Sequence, residues 1–182
     1  MSLHRVIRWQ PTDSLGLEHF ELRQTDWGYL AQSTVIGTFE GTDFGCRYEV
    51  TLDSDWTFRH LVLERTDGTV LILKSDGAGN WERASGGELP QFAGCIDIDI
   101  GVTPFTNTLP IRRARLEVGV PQHFRMVWIP LDSLKPFVDE QIYTKRDETH
   151  FHYAAADGSF EAELTVDAEG FVVDYPGLYR RI

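Results

Sequence analysis

The sequence predicts a mainly β fold: a single strongly curved antiparallel sheet, or half-barrel, built from many short strands with little helix. Three observations carry this. Apolar and polar residues alternate with period two through most ordered-looking segments. Pairs such as Asp67-Gly68, Asp76-Gly77, Gly79-Asn80, Gly86-Gly87 and Asp157-Gly158 punctuate those segments as hairpin turns. Five Trp, eleven Phe and six Tyr are spread over nearly all of the segments rather than gathered in one, as the inner face of a bent sheet requires.

With 182 residues, 42% hydrophobic and 25% charged, the chain has the size and balance of one globular domain over 1–182 with a sizeable core. A net charge of -11 repels a phosphate backbone, which argues against nucleic acid and anionic membrane surfaces as partners. The opening MSLHRVIRWQPTDSLG lacks the apolar core of a signal peptide, and no stretch has the roughly 18 consecutive apolar residues of a spanning helix. A cytoplasmic protein without membrane insertion is expected. Cys46 and Cys95 lie far apart with no Cys-x-x-Cys spacing, so two buried thiols are expected, with no metal and no cofactor.

Taken in order, Tyr48, Val50 and Leu52 alternate with Arg47, Glu49 and Thr51, and Phe58 to Arg65 continues the pattern. Val70 to Leu73 is apolar throughout, and Phe160, Ala162, Leu164 and Val166 alternate with Glu161, Glu163 and Thr165. Ser133 to Tyr143 is the one stretch compatible with a helix, with Pro136 near its start, but Phe137, Gln141 and Tyr143 also share strand parity, and both assignments stay open. VTLDSDWTF, from Val50, and LTVDAEGFV, from Leu164, share the order apolar, Thr, apolar, Asp and a later acidic residue. This echo suggests two related halves, although any hairpin can take that form.

The most distinctive stretch is IDIDIGVTPFTNTLPIRR, Ile96 to Arg113. On a strand, Asp97 and Asp99 share one face at a spacing of roughly 7 Å, where like charges raise one pKa unless a cation compensates. Thr103-Pro104 opens a turn, Asn107 and Thr108 can hydrogen-bond its backbone, and Pro110 fixes φ beyond it, so Arg112 or Arg113 can return to the aspartates. The arrangement suits a polar corner in a cavity, binding sugar hydroxyls or a phosphate. It also suits a salt-bridged corner with a purely structural role. No nucleophile stands at a recognisable spacing from a base, which favours binding over catalysis. His150 and His152 share a strand face without a third ligand, Gly77 and Gly79 do not open a helix, and Asp97-x-Asp99 lacks the further ligands of a calcium loop. Tyr175, Leu178 and Tyr179 surround Pro176-Gly177, as either a plug across an open end or an ordinary final strand.

The combination Gly94-Cys95-x-Asp97-x-Asp99, Thr103-Pro104-Phe105-Thr106-Asn107-Thr108-Leu109-Pro110-Ile111-Arg112-Arg113 and Asp174-Tyr175-Pro176-Gly177-Leu178 resembles the putative glycolipid-binding family, formerly a domain of unknown function. Gly16-Leu17-Glu18-His19, Tyr48-x-Val50-x-Leu52-Asp53, Trp56-x-x-Arg59 and Gln141-x-Tyr143 fit the same pattern in order, while Ala114 stands where Leu or Val is more common. The resemblance implies one β-rich domain with a strongly bent sheet, similar to bacterial lipoprotein carriers that hold acyl chains in a half-barrel. It brings no catalytic residues.

The expected function is therefore the binding of an amphipathic molecule, such as a glycolipid, in the concave face of the sheet. The expected contacts are Asp97, Asp99, Asn107, Thr108, Arg112 and Arg113, together with Trp56, Arg59, Gln141, Tyr143 and Tyr175 from the matched motifs. The alternatives are an enzyme acting on a sugar or phosphate ester through Asp97 or Asp99 with Arg113, and an interaction domain whose sheet edge takes a partner or a second copy.

Overall fold

The computed structural model describes residues 3–39 and 41–182, so Met1, Ser2 and Glu40 lie outside the described residues. Fourteen strands form one open, curved sheet. The first seven are β1 (His4–Pro11), β2 (Gly16–Thr25), β3 (Gly28–Phe39), β4 (Thr42–Leu52), β5 (Phe58–Arg65), β6 (Val70–Ser75) and β7 (Trp81–Arg83). After a crossing segment come β8 (Asp97–Ile100), α1 (Thr108–Arg113), β9 (Pro121–Ile129), β10 (Phe137–Lys145), β11 (His150–Ala155), β12 (Glu161–Val166), β13 (Val172–Tyr175) and β14 (Tyr179–Arg181). Ser133–Tyr143, which the sequence left between helix and strand, falls mostly in β10, because its inward parity carries Gln141 and Tyr143, both fully buried.

The spatial order is β7-β6-β5-β4-β3-β2-β1-β14-β13-β12-β11-β10-β9-β8. All neighbours are antiparallel except β8 and β9. The C-terminal stretch is thus a hairpin of β13 and β14, whose last strand pairs with β1. The two edge strands, β7 and β8, follow each other in sequence, so the sheet must curl until they nearly meet. No ladder joins them. Instead Gly94 N–H donates to Gly79 O at 3.0 Å, and Trp81 Nε1 donates to the Cys95 carbonyl at 2.9 Å. A Cβ on Gly79 would stand 2.9 Å from Gly94 Cα, so this approach of the edges needs a bare backbone.

Three hairpins turn by one device. Asp53, Asp76 and Asp167 each donate their N–H to the carbonyl four residues on, while their Oδ1 accepts the N–H groups two and four residues on. The fourth residue of each loop has positive φ: Trp56 at 66°, Gly79 at 93° and Gly170 at 82°. The echo between Val50–Phe58 and Leu164–Val172 is therefore real as local geometry, and the loop at Asp76 repeats the same turn. Trp56 is the strained member, since a bulky residue seldom adopts this conformation. Its ring is held by Tyr29, Phe171 and the Arg112 guanidinium, which lies 4.2 Å from the ring centroid.

The concave face is not an open hollow along its length. After β8 the chain turns inward, and Val102 to Pro110 are all buried. Thr103 is extended and caps a 3-10 turn, its Oγ1 accepting from Phe105 N at 3.0 Å, with Pro104 in the first position where a missing N–H costs nothing. The turn runs into α1, whose Pro110 again sits in the first turn. Phe105 lies 4.5 Å from the Phe20 ring of β2 and is stacked with Tyr48 of β4, so the inserted segment takes the place of a second layer. No helix of the described residues is long and apolar enough to cross a membrane.

Removing the Phe105 ring leaves a void that neither sheet nor helix can close. Phe105→Ala is expected to lower unfolding free energy by about 3 to 5 kcal/mol in urea denaturation, whereas Leu15→Ala, at a position 84% exposed, stays within about 0.5 kcal/mol.

Candidate functional site

The acidic pair of β8 is buried, and its two members have different partners. Asp97 meets Arg113 in a two-pronged contact, Nε to Oδ1 at 3.0 Å and NH2 to Oδ2 at 2.5 Å. Burial pushes the Asp97 carboxyl above its ordinary range, and the guanidinium pulls it partly back. Asp99 pairs with no cation among the described residues. Its Oδ1 accepts from Thr106 Oγ1 at 2.7 Å and its Oδ2 from Gln141 Nε2 at 2.6 Å, and burial raises it too. Asn107 Nδ2 donates to Tyr143 OH at 2.8 Å, completing a polar seam between the inserted segment and β10.

A third buried carboxyl lies on β2. In GLEHFELRQT, Glu18 has the same parity as Phe20 and Leu22, and it is only 2% exposed. Its Oε1 accepts three hydroxyls: Tyr48 OH at 2.6 Å, Ser33 Oγ at 2.7 Å and Thr103 Oγ1 at 3.0 Å. Its Oε2 has no partner among the described residues. Burial, opposed by those three hydrogen bonds, pushes Glu18 up to about 7. In the sequence Glu18 stands out only as part of the Gly16-Leu17-Glu18-His19 motif. The signal that marks it is an acidic side chain on the apolar parity of a strand.

Two clefts open beside these groups. One, of about 290 Å3, has Asp99, Asn107 and Asp139 on its polar side and Tyr153, Phe160 and Tyr175 as an aromatic wall, with ring centroids 6.0 to 6.2 Å apart. Phe137 and Phe160, 51% and 38% exposed, stand at its rim. The other, of about 350 Å3, is walled by Trp9, Leu17, Val35, Phe44 and Val102, and Glu18 is its buried acid. Gly101, Leu178 and Tyr179 line both, so the clefts are neighbours with a common wall. A larger depression of about 610 Å3 lies over His19, Glu21, Arg23 and Arg47. The first three have the outward parity of β2, and charged side chains there pair with each other, as Arg47 does with Glu64 at 2.6 Å, so it is a solvated face rather than a recognition site.

Of the residues expected from sequence, Asp99, Asn107 and Tyr175 line the acidic cleft, and Gln141 and Tyr143 stand behind it, bonded to Asp99 and Asn107. Asp97 and Arg113 line neither cleft and tie the end of α1 to β8. Arg112 lies over Trp56 and donates to the Glu169 carbonyl. Thr108 is buried in α1, its Oγ1 without a partner among the described residues. Arg59 is 3.7 Å from Asp53 and borders a separate depression with His60 and Lys74. His150 and His152 each face a carboxylate, Asp147 and Glu161, and no cluster of three metal-ligating side chains occurs among the described residues.

Residues 6–181 match the family described as "Putative glycolipid-binding". A solved crystal structure, of a DUF1089 family protein from Pseudomonas aeruginosa, is similar with a TM-score of 0.83 and 39% identity over 92% of each chain. No curated protein matches.

The raised Glu18 carboxyl links stability to pH. Its folded value of about 7 exceeds the ordinary 4.5, so the folded state holds the proton more tightly, and its contribution is complete below 4.5 and lost as pH rises to about 7. Wild-type protein should lose about 3 kcal/mol more than Glu18→Gln across that interval, measured as the difference between their urea-unfolding free energies along a pH series.

Proposed function

Starting from the fact that this chain belongs to the family described as "Putative glycolipid-binding", we propose that it binds an amphipathic molecule with a neutral sugar head. The head occupies the cleft of Asp99, Asn107 and the tyrosines, and the apolar tail lies along the neighbouring cleft of Trp9, Leu17 and Phe44.

The observation that carries this reading is the common wall of Gly101, Leu178 and Tyr179 between a cleft rich in carboxylates and aromatic rings and a cleft that is mostly apolar. Carboxylates accept hydrogen bonds from sugar hydroxyls, and flat rings cover the apolar face of a pyranose. Each cleft is near the small end of the range in which proteins enclose small ligands, and the two together suit a ligand with unlike ends. Charge argues for a neutral head. Asp99 and Asp139 repel a phosphate, and the arginines that would attract one are engaged elsewhere, Arg113 on Asp97 and Arg112 on Trp56.

Octyl β-glucoside below its micellar concentration is the test ligand, titrated by calorimetry. Saturable binding is expected, with Phe160→Ala, at a half-exposed rim position, weakening it about tenfold, or 1.4 kcal/mol, and octyl phosphate binding at least about tenfold more weakly than the glucoside. No saturable binding of the glucoside, or equal binding of the phosphate, removes the proposal.

A further inference from the structure

The Glu18 carboxyl stands where the two clefts adjoin. Glu18 lines the apolar cleft, and Thr103, whose hydroxyl donates to its Oε1 at 3.0 Å, lines the acidic one. Three hydroxyls crowd Oε1, whereas Oε2 is buried and has no partner among the described residues. No cation hydrogen-bonds or pairs with this carboxyl among those residues. A buried polar atom left without a partner costs free energy that a bound group can recover.

The chemistry of that group follows from the carboxyl's two states. With Oε1 occupied by donors, the proton of the neutral acid belongs on Oε2, which is then a donor in want of an acceptor. In the ionised form Oε2 is an acceptor in want of a donor. With burial raising the carboxyl to about 7, both states are within reach at neutral pH, and a group that can donate and accept fits either. An ammonium can only donate and an ether or carbonyl oxygen can only accept. A hydroxyl does both.

We propose that the apolar cleft is a binding site for a hydroxyl carried on an aliphatic chain, with that hydroxyl hydrogen-bonded to Oε2 of Glu18. Trp9, Leu17, Val35, Phe44 and Val102 take the chain. This deepens the sugar-lipid reading and rests on it in one respect, that the tail lies in this cleft; it adds that the ligand carries a free hydroxyl at the junction of head and tail.

Three hexyl probes test the site in wild-type protein by NMR titration at about pH 5.5 and about pH 8.5, either side of the Glu18 midpoint: 1-hexanol, hexylammonium and hexyl methyl ether. Hexanol is expected to bind with the same affinity at both pH values within about twofold. Hexylammonium should weaken several-fold at the lower pH and the ether several-fold at the higher, since each then meets the wrong protonation state. Glu18→Leu should weaken hexanol about tenfold while leaving the ether nearly unchanged at the higher pH. Hexanol and ether binding alike in wild type at both pH values overturns the proposal without needing the variant to fold. Octyl β-glucoside separates the two readings. If the glucoside binds and hexanol ignores Glu18, the sugar-lipid reading stands and this one falls. If hexanol depends on Glu18 and the glucoside does not bind, the reverse holds.

Discussion

Each polar group buried without a partner costs on the order of 1 to 3 kcal/mol, and a sheet that covers its own inner face with a polar stretch of chain is exposed to that cost many times over. The segment Thr103 to Arg113 meets it by giving four of its polar side chains partners on the strands around it. Thr103 bonds to Glu18 of β2 and lies 3.2 Å from Tyr48 OH of β4, Thr106 bonds to Asp99 of β8, Asn107 to Tyr143 of β10, and Arg113 to Asp97 of β8. The apolar members, Phe105 and Leu109, are fully buried among them. Curvature, edge closure and clefts all depend on this seam, because it fixes how far the two ends of the sheet can separate.

The three buried carboxyls show how one environment is resolved in different ways. Asp97 has a cation, Asp99 has a hydroxyl and an amide, and Glu18 has three hydroxyls on one oxygen and, among the described residues, nothing on the other. A carboxyl with a bidentate arginine is a fastening, whose removal would leave an uncompensated charge. A carboxyl with an unmet oxygen is where a ligand has something to add. That contrast separates the paired carboxyl of Asp97, which lines neither cleft, from the groups facing the clefts.

Much of the architecture was legible in period-two alternation and in turn pairs, which express only backbone geometry and burial. The strands around Tyr48, Phe58 and Leu164 follow directly from it. Two things were not. TPFTNTLP reads as a turn because Thr, Asn and Pro are weak helix formers, and only tertiary contacts with Phe20, Tyr48 and Tyr143 make it a compact helical insert. The double arginine could not be apportioned from sequence, since one guanidinium goes to Asp97 and the other to a ring on a hairpin more than fifty residues away. Glu18 was readable in principle: an acid between Gly16 and Phe20 on the inward parity is an anomaly, visible once β2 is recognised as a strand. Gln141 and Tyr143 came from the matched motif rather than from strand parity, because their segment reads as either helix or strand.

The order of strands in space differs from their order in the chain by one circular permutation. Starting at β8 and passing from β14 directly into β1, the succession runs from one edge of the sheet to the other without a jump. Ile182 N–H donates to the Arg8 carbonyl, so a tether from the last strand back to the start of β1 need span only about five strand residues, on the order of 16 Å. A chain rejoined there and opened in the Gly86-Gly87 turn would exchange its longest-range linkage for local hairpins. Lower contact order favours faster folding, so the native connectivity trades folding speed for a covalent bridge across the two sheet edges.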